Sequence, residues 1–244
     1  MKTRMLPVAI LAGGLATRLR PLTDTIPKAL VDIDGDPFVA HQLRLLHDTG
    51  GIERVVICAG YKGEMIREFV GEGSRFGLKV LFSFDGARLL GTGGAIRKAL
   101  PLLGDAFFVL YGDSYLPCDY QAVQAAFEAS GKEALMTVFL NNGQWDTSNV
   151  EFSNGRILAY GKKNLTPKMQ HIDYGLGIFR ASAFDPVPEG EPSDLADLYS
   201  RLAHKGRLAA FETTERFYEI GSPGGLEELR FLIRNVQGQF RKGD

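Results

Sequence analysis

Four short apolar runs, Val8–Leu11, Arg54–Ala59, Lys79–Ser83 and Phe107–Tyr111, alternate with stretches of helical spacing at Phe38–Thr49, Gly63–Val70 and Ala95–Leu103. Runs this apolar read as strands buried on both faces, and strand–helix alternation lays helices over a mostly parallel sheet. Each helical stretch stops near glycine or proline, where helices end. A further helix is expected at Asp119–Ser130, with Asp119 as its N-cap. From Ala134 the pattern turns strand-rich, through Met136–Leu140, Asn149–Phe152, Arg156–Tyr160 and Ile172–Arg180. A helix at Ser193–His204 and a strand at Arg207–Phe211 follow, and Ser222-Pro223 opens a last helix to about Val236, with the residues after it frayed. The expected class is α/β: a Rossmann-like, three-layer, mostly parallel or mixed sheet with helices on both faces. One domain over residues 1–244 is expected, with a first part at about 1–117, a second at about 118–225 and the last helix at about 222–236.

A chain of 244 residues buries a core large enough to fold without staples. Its formal net charge of −1 argues against nucleic acid as a partner. No apolar run approaches the ~18 residues that span a bilayer. Cys58 and Cys118 form no C-x-x-C pair, and buried thiols suit a reducing compartment. The opening Met1–Met5 runs straight into the first strand, so a cleaved leader is not expected and the cytoplasm is. The four histidines lack the spacing of a transition-metal site.

Function concentrates in Leu11 to Leu30, LAGGLATRLRPLTDTIPKAL. Gly13 and Gly14 follow the first strand, and glycines there let backbone N–H groups approach an anion with no Cβ in the way. Arg18 brings a planar fork and Lys28 a point charge, both suited to phosphate oxygens. The segment is not a Walker A loop and lacks the third glycine of a dinucleotide fingerprint. A tight turn is the bland alternative for the glycine pair alone; the basic residues in fixed order favour a polyphosphate site.

This segment resembles the signature of the sugar-1-phosphate nucleotidyltransferases, G-G-x-x-T-R-L-x-P-x-T-x-x-x-P-K, at Gly13, Gly14, Thr17, Arg18, Leu19, Pro21, Thr23, Pro27 and Lys28. The likeness continues at Leu90-Gly91-Thr92-Gly93-Gly94-Ala95, at Leu110-Tyr111-Gly112-Asp113 and at Tyr218-Glu219-Ile220-Gly221-Ser222-Pro223, where the family pattern is Asp-x-Gly-[ST]-Pro. It implies the nucleotide-diphospho-sugar transferase fold and a nucleoside triphosphate joined to a sugar 1-phosphate, in the NDP-sugar supply of polysaccharide, capsule or lipopolysaccharide. It also implies a possible homo-oligomer. Leu-Gly-Thr-Gly-Gly-Ala leans toward the heptose- or mannose-1-phosphate guanylyl branch.

Roles follow from the same likeness. Arg18 and Lys28 are the catalytic candidates on the triphosphate side. Leu11, Ala12, Gly13, Gly14, Thr17, Thr92, Gly93 and Gly94 line the nucleotide, with main-chain groups reading the base. Lys162, Asp173 and Gly175 fall where the family holds the sugar phosphate. An aspartate at position 173 accepts two hydroxyl hydrogen bonds but donates none, and a structural carboxylate at a strand bend is the competing account. Asp113 and Glu219 are the magnesium candidates; an aspartate past a buried strand sits at the ligand-binding edge of an open sheet, with a turn or helix cap as its alternative. Asn141 to Asn149, with Trp145 and Asp146, forms a lid over the sugar or a plain surface loop. Two other classes stay open: a glycosyltransferase using an NDP-sugar donor, and a catalytically silent nucleotide-binding subunit.

Overall fold

The computed structural model describes residues 4–161 and 165–240. In chain order the elements are β1 (Val8–Ala12), β2 (Asp32–Ile33), β3 (Asp36–Pro37), α1 (Phe38–Asp48), β4 (Arg54–Ala59), α2 (Gly63–Val70), β5 (Lys79–Phe84), α3 (Gly91–Leu103), β6 (Ala106–Tyr111) and β7 (Ser114–Tyr115). The second half adds α4 (Tyr120–Ser130), β8 (Ala134–Leu140), β9 (Val150–Ser153), β10 (Arg156–Tyr160), β11 (His171–Arg180), α5 (Leu195–His204), β12 (Leu208–Thr213), β13 (Tyr218–Glu219) and α6 (Pro223–Phe240). No helix among the described residues is long and apolar enough to cross a membrane.

The sheet, nine-stranded among the described residues, changes character along its width. β6, β1, β4 and β5 run parallel, as expected of runs joined by helical crossovers. β11 then pairs antiparallel with both β6 and β8, while β12 joins β8 in parallel, so the sheet is mixed. Alternation within β1 shows why both faces need cover: Val8 and Ile10 pack under α1, α2 and α4, whereas Ala9 packs under α3 and α5. A third cluster seats α6 on the β2–β3 hairpin through Leu226, Leu229 and Ile233 against Val31 and Ile33.

Three expectations shift. Helix α3 begins at Gly91 rather than Ala95, so the Thr92-Gly93-Gly94 stretch is a helical first turn, not an open loop. Helix α6 reaches Phe240, past the expected end near Val236. The pair β7 and β13, absent from the sequence reading, ties Glu219 to Ser114.

Candidate active site

Two cavities meet at the carboxyl ends of the parallel strands. The first, of about 280 Å³, is lined by Leu11–Gly14, Lys28, Asp85, Leu89, Thr92 and Asp113. The second, of about 490 Å³, is lined by Arg18, Asp113, Asp146, Asp173, Gly175 and Glu219. Thr92, Tyr111 and Asp113 border both.

Backbone proximity makes the first cavity. A Cβ on Gly112 would fall 2.2 Å from the Leu11 carbonyl oxygen, so only glycine lets β6 end against β1. The Gly112 N–H donates to that oxygen at 3.0 Å. This crossing sets Asp113 beside the start of the Gly13–Gly14 loop. Farther along the loop Ala16 is left-handed at φ 52, and its carbonyl accepts from the Thr23 hydroxyl at 2.8 Å. Thr23 and Leu19 are buried. Several signature residues therefore shape the loop, and Thr17 starts a 3-10 turn that carries Arg18.

The loop's two cations part company. Lys28 lies in the first cavity and donates to Asp113 Oδ2 at 2.9 Å, both side chains partly buried. Arg18 reaches the second cavity, where the Cβ position of Gly221 lies 3.2 Å from Arg18 Nη2 and 3.3 Å from Glu219 Oε2. The Asp113 carbonyl accepts from the Ile220 N–H at 2.9 Å, so the two candidate carboxylates stem from adjoining backbone. Burial pushes the Glu219 carboxyl above its ordinary value, the charges of Asp113 and Asp146 add to this, and Arg18 and Lys28 oppose it.

Gly93 and Gly94 turn away from the cavity. Both N–H groups point at the Ser193 carbonyl, at 2.8 and 3.4 Å, and a Cβ on Gly94 would meet the Glu191 carbonyl at 2.5 Å. Those glycines admit the segment before α5, and Gly91, Thr92 and Ala95 present the surface instead. Thr92 itself is held from outside: its hydroxyl donates to Asp194 and accepts from the Leu195 N–H at 2.8 Å.

Asp173 stands at a break in register of β11. Its Oδ1 accepts from the Gly175 N–H at 3.0 Å, and its Oδ2 accepts from the Tyr160 hydroxyl at 3.2 Å. Gly175, at φ +92, makes the bend, and a Cβ there would press on the Tyr111 ring. Lys162 lies outside the described residues.

Asp85 was missed in the sequence, where a lone aspartate after a strand looks like a turn residue. It sits in the first cavity, its Oδ2 accepting from the Leu90 N–H at 3.1 Å. Burial pushes its carboxyl upward, against the Leu90 N–H and Lys98.

A family model described as nucleotidyl transferase matches residues 8–216. The N-acetylmuramate alpha-1-phosphate uridylyltransferase of Neisseria meningitidis is 31% identical over 91% of this chain and 96% of its own. The mannose-1-phosphate guanylyltransferase catalytic subunit beta of Xenopus tropicalis is 29% identical over 88% of this chain; the match spans 61% of that relative's length. HddC from Yersinia pseudotuberculosis, solved in complex with GMP-PN, superposes with a TM-score of 0.77 at 26% identity, over 94% of this chain and all of that one.

Proposed function

This chain belongs to the nucleotidyl transferase family, among the enzymes that act on sugar 1-phosphates, and on that premise we propose that it joins GTP to a mannose or heptose 1-phosphate with magnesium. The observation that carries the proposal is the Lys28–Asp113 pair at the seam of the two cavities. A sugar-phosphate oxygen attacks the α-phosphorus, a new P–O bond forms, and the bond to the β-phosphate breaks to release pyrophosphate. The attacking phosphate is already ionised near neutral pH, so no protein base is required. Positioning and charge neutralisation are what remain for the protein to supply.

Each residue has a place in that scheme. The Gly13–Gly14 backbone approaches the triphosphate, and Lys28 faces the region where charge builds on the α-phosphate. Arg18 offers its guanidinium from the side of the second cavity. Asp113 and Glu219 suit a magnesium ion, which takes one or two carboxylates together with substrate phosphates. Burial first, and then the charges of Asp113 and Asp146, raise the Glu219 carboxyl, and a bound cation would relieve the part due to those charges. Among the described residues no group of three or more His, Cys, Asp and Glu is suited to a metal, so Asp113 and Glu219 would hold such an ion only together with the substrates' phosphates. When bound, the ion supplies neutralisation of the two polyanions. Asp173 and Gly175 face the sugar, with Lys162 as the proposed phosphate ligand.

Guanine finds support at Asp85. A carboxylate only accepts, and the guanine edge offers adjacent N1–H and N2–H donors, whereas uracil and thymine offer one. GMP-PN bound to HddC agrees.

The test is a matrix of GTP, UTP, dTTP, ATP and CTP against sugar 1-phosphates, with pyrophosphate release as the readout. Highest kcat/KM with GTP and a neutral sugar 1-phosphate, dependent on magnesium, is expected. Turnover with UTP or dTTP at tenfold higher kcat/KM would overturn the base assignment.

A further inference from the structure

Loop 141–149 does not behave as a free surface loop. Asn141 is fully buried, and its Nδ2 donates to the Asp146 carbonyl at 2.6 Å and to Ser148 Oγ at 3.0 Å. Its Oδ1 accepts from the Trp145 N–H at 3.3 Å. The Trp145 ring lies over the Arg216 guanidinium at 3.4 Å, and Arg216 pairs with Glu228 on α6. A cation–π contact of this kind contributes about 1 kcal/mol, more where water is excluded. The loop is thus tied down at both its hub and its tip, and Asp146 borders the second cavity across from Arg18 and Glu219.

Among the described residues that line the second cavity, carboxylates outnumber cations. Asp113 has Lys28 as partner, and Glu219 has the Arg18 guanidinium nearby. Among the described residues no Lys, Arg or His pairs with Asp146, and Arg18 is the one cation lining this cavity. The Asp146 Oδ1 accepts from its neighbour's N–H at 2.6 Å, which orients the carboxylate. The charge is felt locally, since Asp146 is among the groups that raise the Glu219 carboxyl.

We infer that Asp146 selects the class of sugar: it accepts hydrogen bonds from the hydroxyls of an uncharged sugar 1-phosphate and repels sugars that carry a carboxylate. The inference rests on the sugar-1-phosphate reading above. It predicts that N-acetylmuramate 1-phosphate, the sugar phosphate in the name of the Neisseria meningitidis relative and one bearing a lactyl carboxylate, is a poor substrate here. Asp146 is exposed, and two like charges about 5 Å apart near a protein surface disfavour binding by up to roughly a hundredfold once the sugar displaces water between them.

The experiment compares mannose 1-phosphate with N-acetylmuramate 1-phosphate and glucuronate 1-phosphate, which place the carboxylate on different carbons. The intact protein and its Asp146→Asn and Asp146→Glu variants are assayed with the preferred nucleotide. The unaltered protein should favour the neutral sugar by about a hundredfold in kcat/KM. Asp146→Asn should narrow that ratio by about tenfold for at least one acidic sugar, with the KM for nucleotide unmoved, and Asp146→Glu should restore the exclusion. An acidic sugar used within tenfold of the neutral one, or a ratio indifferent to Asp146→Asn, overturns the inference while leaving the nucleotidyl transfer standing. Pyrophosphate release with no sugar 1-phosphate at all overturns both.

Discussion

The two cavities are built from different materials. The first is made of strand ends, glycines and main-chain crossings within a few ångströms of one another; the second collects charged side chains from segments far apart in sequence. Backbone against backbone has no room to adjust, because an added carbon meets atoms that cannot rotate away. Charged side chains on loops adjust readily, so their replacement changes what binds before it changes whether the chain folds. Under the proposed function, nucleotide handling is accordingly fixed by the fold, and sugar choice is left to side chains.

The sharpest contrast lies between two glycines of the first cavity. A Cβ on Gly112 meets the Leu11 carbonyl oxygen at 2.2 Å, whereas one on Gly14 meets nothing within 4 Å. Gly112→Ala should cost about 3 kcal/mol or more of stability and abolish turnover. Gly14→Ala should stay within about 0.5 kcal/mol in a denaturant melt while weakening nucleotide binding. Equal stability for the two variants would break the claim that the first cavity is set by backbone crossing.

Next in size is the seam. Lys28→Ala should lower kcat by about 10²- to 10³-fold, the usual loss when a preorganised charge facing the transition state is removed. Lys28→Arg should recover little, since a planar fork does not replace a compact ammonium against Asp113. Steady-state kinetics with saturating substrates checks both. A Lys28→Ala enzyme within tenfold of normal kcat would place the reacting phosphate elsewhere.

The same contrast explains what was legible in sequence. The phosphate loop is contiguous, so Gly13, Arg18 and Lys28 could be read together, and the strands at Arg54–Ala59 and Arg156–Tyr160 fall at the expected residues. Helix α3 was read four residues short because Gly91, Gly93 and Gly94 are poor helix formers; packing against the segment at Ser193 overrides that propensity. β7 and β13 are two residues each, too short for any periodicity. Asp85 carried no local pattern, and Asp146 was read only as part of a loop that either covers the sugar or lies plainly on the surface; the folded chain sets both at the cavity walls.

A smaller effect belongs to Asp85, a carboxylate on the wall of the first cavity away from the Lys28–Asp113 pair. Asp85→Asn swaps one acceptor oxygen for a donor, which faces the guanine donors unfavourably. A loss of about tenfold to a hundredfold in kcat/KM for GTP is expected, with UTP and dTTP affected less. Competition between nucleotides in one reaction measures the ratio directly. If GTP and UTP fall together, Asp85 shapes the wall without reading the base.

The smallest effect is thermal and concerns Glu219. Its folded-state carboxyl is held above the ordinary value of 4.5, first by burial and then by Asp113 and Asp146. Below about pH 4 the carboxyl is protonated in folded and unfolded chains alike, so it carries no penalty there. As pH rises through the raised folded value, the unfolded chain has already ionised, and the folded chain must ionise a crowded group; stability is lost across that window. Glu219→Gln removes the requirement. Without metal, the variant should melt about 1–3 °C higher than the unaltered protein near pH 7.5, with the gain vanishing near pH 4. Magnesium should reverse the order, because a cation shared with Asp113 stabilises the carboxylate pair and has less to hold in the glutamine variant. A gain that persists at low pH would mean that the side chain's shape, not its charge, is what the second cavity resists, and the contrast between a backbone-built and a charge-built cavity would fail at its most exposed point.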